Sequence, residues 1–421
     1  MSINKHTHIH WFGNDLRISD QPFAEKANEA NEFIGIYVLD PKRLEYNEWG
    51  FRNMSLNRLK ILREHLAELE RNLAEIGAPL VVKYGNPARI IPELIEKHQA
   101  SLSFMNEYST DERLMQEAVL KELDNIDIFN YDGNFLFDPE HIDWNGTFPH
   151  SFSKFRKKAE KYLKRVEYEL FPDIKRFDQP LKSKLKASQR EIVSNTALPF
   201  KGGESSGKER LNEYLFATRN ASRYKETRNG LLGADYSTKF SFWLAVGAMS
   251  PKMIMKALKK YEIVQGANKS TYWIFFELLW RDFFRHAGKF YQDDFFKKSG
   301  TLLNQWKCNS NAIAFEEWAQ AKTLKDFVNA NMIELRKTGF MSNRGRQNVA
   351  SYLVHDQKQD WRQGAAWFEH HLLDYDVYSN HGNWAYVAGL AFNPKGGSHF
   401  NIDFQSERYD KSKEYQKTWL K

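Results

Sequence analysis

The chain has 421 residues, with 61 Lys and Arg against 54 Asp and Glu for a net charge of +7, and 42% of it is hydrophobic. That is too apolar for a disordered chain and long enough for two or three domains. A single cysteine, Cys308, excludes an intrachain disulfide framework, a four-cysteine zinc site and a four-cysteine iron–sulfur cluster, and points to a reducing compartment.

The N-terminus lacks a charged region followed by an apolar stretch, and no apolar run is long enough to span a bilayer. The expected location is cytoplasmic, with no membrane partner. From residue 6 to about 131, short apolar runs (HIHWFG, FIGIYVLD, PLVVKY, SLSFMNE, IDIFNYD) alternate with helical patterns, the rhythm of a parallel sheet with crossover helices. Leu59, Leu62, Leu66, Leu69, Leu73 and Ile76 step by three and four, which predicts one amphipathic helix stopped by Gly77 and Pro79. FGNDLR follows the first run where a dinucleotide fold would carry G-x-G-x-x-G, so an ordinary dinucleotide site there is disfavoured.

Residues 151 to 190 hold 13 Lys and Arg against 5 Asp and Glu, a local surplus of +8. A solvated, mobile connection explains this better than a dedicated phosphate surface. From about residue 205 the pattern is helical, with Ser250-Pro251 as N-cap and first-turn proline. The fold class is therefore an α/β N-terminal domain with a Rossmann-like parallel sheet (1–135), a basic connector (136–204) and a large all-α domain (205–421).

Two tempting motifs are set aside. GGESSGKE (202–209) resembles a phosphate-binding loop, but Glu209 stands where a Ser or Thr should hold magnesium and no strand precedes it. His6, His8 and His10 share one face of a strand without a carboxylate or thiol at matching spacing, and His370 and His371 point to different helix faces, so no catalytic metal is expected.

Nine of the twelve tryptophans lie after residue 240, and three segments there mix polar groups with aromatics. Ser237, Thr238 and Ser241 precede a helical stretch where hydroxyls and free N–H groups can meet a pyrophosphate, or simply cap the helix. Glu277 and Arg281 are four apart beside Trp273 and Trp280. An i,i+4 ion pair is the usual reading, but the surrounding phenylalanines favour buried charges that need partners or a ligand. Asn343, Arg344 and Arg346 with Asp374, Asp376 and Asn380 can hydrogen-bond a heterocycle or form an internal salt-bridge network.

The strings STKFS, YWIFFELLWRDFF, TGFMSNRGRQNVAS and LLDYDVYSNHGNW resemble the photolyase/cryptochrome family, most closely its cryptochrome DASH branch. The resemblance runs from HWFGNDLRISD to YDKSKEYQKTW. It implies a helical domain that holds FAD. By match to the family's motifs, Tyr224, Ser237, Thr238, Lys239, Phe240 and Ser241 hold the phosphates and neighbouring parts, and Phe340, Asn343, Arg346, Asp374, Asp376 and Asn380 surround the rings, Asn380 facing the flavin N5. Trp384, Trp361 and Trp306 match the family's electron-donor chain. Asp111 and Glu112 resemble positions that contact a folate antenna, 5,10-methenyltetrahydrofolate.

The implied activity is that of a deoxyribodipyrimidine photolyase, splitting cyclobutane pyrimidine dimers in single-stranded or looped DNA by electron transfer from photoexcited reduced FAD. Glu277 would bond the dimer, Trp280 and Tyr386 would wall it, and Arg281 and Arg344 would anchor phosphates. Gln347 and Tyr386 stand where other photolyases carry Met and Trp. Phe242 replaces a family proline and Asn329 a family aspartate, which implies a reshaped loop beside the cavity. The expected protein is a monomer acting on DNA. Two alternatives remain: a blue-light photoreceptor without repair, and a non-catalytic nucleic-acid-binding protein. The absence of a long tail after Trp419 tilts the expectation toward repair, and the Asp374, Asp376 and Asn380 set tells against the last.

Overall fold

The run His6 to Phe12 lies at the centre of a five-stranded, wholly parallel sheet. Its strands are β1 (Thr7–Phe12), β2 (Glu32–Leu39), β3 (Leu80–Tyr84), β4 (Ser101–Met105) and β5 (Ile128–Tyr131), in the order β3-β2-β1-β4-β5. The computed structural model describes residues 6–177, 182, 184–185, 192–301, 308 and 311–421. Ile9 pairs with Ile34 on one side and Leu102 on the other. Every residue of β1 is buried because helices cover both faces of the sheet. On one face Phe12, Phe23 and Phe33 pack against the predicted leucine stripe, now the helix Leu56–Glu75 capped by Ser55. On the other, Ile9, Trp11 and Ile36 meet Ile91, Ile95 and Val119 from the helices Pro87–His98 and Thr110–Leu120.

The alternating histidines have a structural use. His8 bonds Ser101 Oγ and Ser103 Oγ at 2.7 Å each, and His10 bonds Ser103 Oγ at 2.8 Å and Asp15 Oδ2 at 3.0 Å. Neighbouring hydroxyls on β4 thus satisfy imidazoles that strand alternation turns inward.

From Glu204 onward the chain is helical around one continuous apolar core. The 23-residue helix Lys269–Tyr291 is fixed at its start by a capping box between Asn268 and Thr271. It packs against the helix Val377–Ala388, and Gly382 makes the close approach possible, since a Cβ there would lie 2.1 Å from the Phe284 ring. The predicted start of the helix Pro251–Gln265 is also found, with Ser250 Oγ accepting from Met253 N at 3.0 Å.

One expectation needs correction. The basic segment is not simply solvated: it contains the helix Phe152–Leu163, whose Phe152, Phe155, Ala159 and Leu163 are buried while its lysines point outward. A charge count conceals this apolar stripe. The turn GNDLR (13–17), lacking the dinucleotide glycines, serves as the junction between sheet and helices. Leu16 N donates to Val246 O at 3.0 Å, and Arg17 Nη1 donates to Gly247 O and Asn134 Oδ1 at 2.9 Å each. Gly247 has φ +65°, and a Cβ on it would lie 2.0 Å from the backbone oxygen of Asn14. Gly247→Ala is therefore expected to lower unfolding stability by about 2 to 4 kcal/mol, from left-handed strain plus a clash with backbone that cannot yield; urea denaturation curves of the two proteins measure it.

Candidate functional site

A cavity of about 650 Å³ opens in the helical part, and four segments distant in sequence wall it. Tyr224 and Ser237, Thr238, Lys239, Phe240 and Ser241 line one side. Phe340, Asn343, Arg346 and Gln347 line another, placed by the helix Asn343–Ser351, whose N-cap Ser342 accepts from Gly345 N at 3.0 Å. Asp374, Asp376, Asn380, Trp384 and Tyr386 come from the entry and body of the helix Val377–Ala388, and Glu277, Trp280 and Arg281 from the helix Lys269–Tyr291.

The Asp374 carboxylate, 2% exposed, joins three of these segments. It accepts from Ser241 Oγ at 2.8 Å and takes Arg346 Nη2 at 2.8 Å on both oxygens, while Arg346 Nε donates to Met341 O. Asp376 caps its helix through Ser379 N at 2.7 Å and faces Arg281 at 3.7 Å. Asn380 is buried and oriented by its donation to Ala365 O at 2.9 Å. Hydroxyls, a lysine and an arginine on one wall and amide and carboxylate groups on the other form a donor set suited to a ligand with both phosphates and a polar heterocycle.

Lys239 is the unusual member. It sits at φ +60°, buried, with Nζ 3.2 Å from the Tyr236 ring centre and 4.5 Å from that of Phe340. Among the described residues Nζ has no hydrogen-bond partner, and neither has the buried hydroxyl of Tyr236. Two orphaned buried polar atoms on one cavity wall fit a site built to receive a polar ligand. Burial holds Lys239 well below the ordinary lysine range, against the pull of nearby Glu334. Burial likewise pushes Glu334 up to about 8, opposed by the Tyr415 hydroxyl that donates to it at 2.6 Å.

The charge pairing differs from the i,i+4 reading. Glu277 pairs with Arg228, which lies 4.4 Å over the Trp273 ring, and burial raises the Glu277 carboxyl while Arg228 opposes the shift. Arg228, four residues after Tyr224, was missed because its partner is remote in sequence. Arg281, expected to anchor DNA phosphate, is instead 11% exposed and spent internally, donating to Asn134 O at 2.7 Å and facing Asp376. Arg344 is not part of the cavity wall; it is half-buried over the Tyr409 ring and donates to Asn229 at 3.0 Å.

Phe242 and Asn329 do not line the cavity either. Asn329 bonds both main-chain groups and the hydroxyl of Thr323, so the amide itself holds the turn that lacks glycine and proline. Trp384 is buried at the cavity with its ring 6.2 Å from Trp318, Trp361 is buried with Nε1 donating to Lys298 O at 3.1 Å, and Trp306 lies outside the described residues.

A second cavity, about 840 Å³, lies at the carboxyl ends of β1, β2 and β4 and is lined by Gly13, Asn14, Glu107, Asp111 and Glu112. The sheet order reverses between β1 and β4, the place where parallel sheets bind ligands. Glu112 accepts from Ser109 Oγ at 2.8 Å and Asn14 Nδ2 at 3.2 Å. Tyr375 lines both cavities.

Fold and site together define a photolyase-type flavoprotein, an α/β domain joined to a helical cofactor domain. Family models agree: DNA photolyase matches residues 8–178, and the FAD binding domain of DNA photolyase matches 273–421. Cryptochrome DASH of Synechocystis sp. is 37% identical over 97% of this chain and 86% of its own length, and the chloroplastic/mitochondrial cryptochrome DASH of Arabidopsis thaliana is 37% identical over 98% and 75%. A crystal structure of a Synechocystis sp. cryptochrome superposes with TM-score 0.92 at 36% identity, covering 100% of this chain and 89% of that one. A class III photolyase from Agrobacterium tumefaciens, 23% identical, shares the fold at TM-score 0.82, with coverage of 100% and 87%. The chain belongs to the photolyase/cryptochrome family, in its cryptochrome DASH branch, and FAD is its cofactor. No helix among the described residues is long and apolar enough to cross a membrane.

The Glu334 carboxyl yields a pH test. Its folded value of about 8 exceeds the ordinary 4.5, so its contribution to stability is full below 4.5 and is lost as pH rises through 8. Glu334→Gln removes that loss. Relative to wild type, the variant is expected to gain about 4 kcal/mol between pH 4 and pH 9. Parallel pH profiles in urea denaturation would contradict this.

Proposed function

We propose that the protein is a light-driven DNA lyase that splits cyclobutane pyrimidine dimers in single-stranded or looped DNA. The observation that carries this reading is that Glu277, Trp280, Gln347 and Tyr386 line the same cavity as the twelve residues expected around FAD. Residues suited to a pyrimidine dimer thus share one void with residues suited to the cofactor. When bound and reduced, FAD would supply the light-driven electron that opens the cyclobutane ring and would take it back as the two pyrimidines separate.

The chain's part is to bind and position. Ser237, Thr238, Lys239 and Ser241 would meet the phosphates of FAD, and Asn343, Arg346, Asp374, Asp376 and Asn380 its rings, with Tyr224, Phe240 and Phe340 as apolar walls. The raised Glu277 carboxyl keeps a proton more readily than an exposed glutamate and can donate it to a pyrimidine carbonyl. Trp280 and Tyr386, edge to face at 5.8 Å, offer ring surfaces to a dimer turned out of its stack. A single strand needs no unpairing first, so the cost of entry is lower than from a duplex. Arg344, half-exposed beside the cavity residues of its helix, would meet a phosphate. Trp384, Trp361 and Trp306 would deliver electrons inward to keep the cofactor reduced.

The test is to reduce the protein photochemically, illuminate it with a dimer-containing single strand or duplex, and follow recovery of thymine absorbance. Repair of the single strand with little in the duplex is expected, and Glu277→Gln should lower the yield about tenfold with flavin absorbance unchanged. A photoreducible flavin with no repair of either substrate would favour a photoreceptor instead.

We further propose that the second cavity takes the antenna 5,10-methenyltetrahydrofolate against Asp111 and Glu112. A cofactor-retaining preparation should absorb in the near ultraviolet beyond its flavin bands, and Glu112→Ala should lose that absorbance while keeping the flavin. A spectrum of flavin alone would remove the antenna.

A further inference from the structure

The Trp280 ring lies between the cavity and a residue from a distant part of the chain. Phe152, first residue of the helix Phe152–Leu163, stacks on it face to face, with ring centres 3.8 Å apart and planes 12° from parallel. Phe152 does not line the cavity, whereas Trp280 does. The Phe152 ring is itself held edge-on by Phe276 at 5.1 Å and Phe283 at 5.8 Å. Its helix is pinned to the helix Lys269–Tyr291 by Tyr272 Oη donating to Glu160 at 2.6 Å and by Arg156 lying 5.5 Å over Phe276.

We propose that Phe152 is a positioning residue for the substrate, fixing the Trp280 ring so that its other face is presented flat to the extruded pyrimidines. A tryptophan side chain free to change rotamer must be ordered when a base stacks on it, and that cost weakens binding. Stacking on Phe152 orders the ring during folding, so the substrate meets a prepared surface. The ring contacts of Phe152 are with Phe276, Trp280 and Phe283, none of them expected around FAD, and it does not line the cavity, so it acts on the substrate wall through Trp280. The basic connector thus has a role beyond joining two domains: its first helix supplies the back of the substrate wall.

The inference rests on the proposed repair function, and the experiment separates the two. Binding of a dimer-containing single-stranded oligonucleotide and of its undamaged counterpart is measured in the dark by fluorescence anisotropy, for wild type, Phe152→Leu and Phe152→Tyr. Leucine nearly fills the volume without stacking, and tyrosine restores the stack. Phe152→Leu is expected to bind the damaged strand about tenfold more weakly, and Phe152→Tyr within about twofold of wild type. Flavin content and spectrum should be equal in all three, which also shows that they fold. In a Trp280→Leu background the leucine substitution at 152 should have no further effect, because its action passes through that ring. Wild-type affinity in Phe152→Leu, a Phe152→Tyr as weak as the leucine variant, or additive losses in the double variant would each overturn the inference alone. A wild type that does not distinguish damaged from undamaged DNA would overturn the repair reading and this inference with it.

Discussion

A carboxylate that is out of water must be matched by donors, and at Asp374 the donors come from chain segments more than a hundred residues apart. Ser241 and Arg346 supply them, and each belongs to a different wall of the main cavity. Burying such a charge unpaired costs several kcal/mol, so the three segments close together or not at all. One saturated charge thus ties three of the cavity's lining segments together. Asp376, two residues on, repeats the device in a weaker form by capping its own helix and facing Arg281, whose guanidinium reaches back to the sheet domain through Asn134. The same short stretch of chain thus organises the cavity and ties it to the junction between the two parts of the molecule.

Around this fixed frame the two walls of the cavity are held by different physics. The wall expected to meet FAD is polar, and its buried Lys239 Nζ and Tyr236 hydroxyl have no partner among the described residues. The wall carrying Trp280 and Tyr386 is aromatic, and its shape comes from ring packing that reaches out to Phe152. Hydrogen bonds fix atoms to fractions of an ångström, which a cofactor that must be retained requires. Ring surfaces tolerate different bases, which the proposed DNA substrate would require.

The apolar periodicities were legible because burial imposes them directly. Leu59 to Ile76 must face one sheet, and the central strands must be apolar on both sides once helices cover both. The Ser250 cap was readable for the same local reason. Partner choice was not. Glu277 and Arg281 look like a pair when only spacing is considered, yet each is claimed by a charge brought in by tertiary folding, Arg228 and Asp376. The stripe Phe152, Phe155, Ala159 and Leu163 was present in the sequence but masked by the lysines between its members, because net charge carries no information about direction. Most of the cavity residues were legible through family motifs, since hydrogen-bonding sets drawn from four segments leave no periodic trace.

The helical cavity and the sheet cavity are neighbours because one piece of chain walls both. At Leu372 to Val377 the backbone turns, with Tyr375 N donating to Leu372 O at 3.3 Å, and enters the helix Val377–Ala388; Asp374 and Asp376 line one void, and Val377 the other. Tyr375 lines both, its ring covered by Arg58 at 4.7 Å. Tyr375 is thereby a wall shared by the cavity at the switch point of the sheet and the cavity in the helical domain. This proximity follows from the topology: the sheet opens its binding edge between β1 and β4, and the turn after β1 is the segment that docks on Val246 and Gly247. The turn that stands where a dinucleotide loop would lie thus docks the binding edge of the sheet on the helical part.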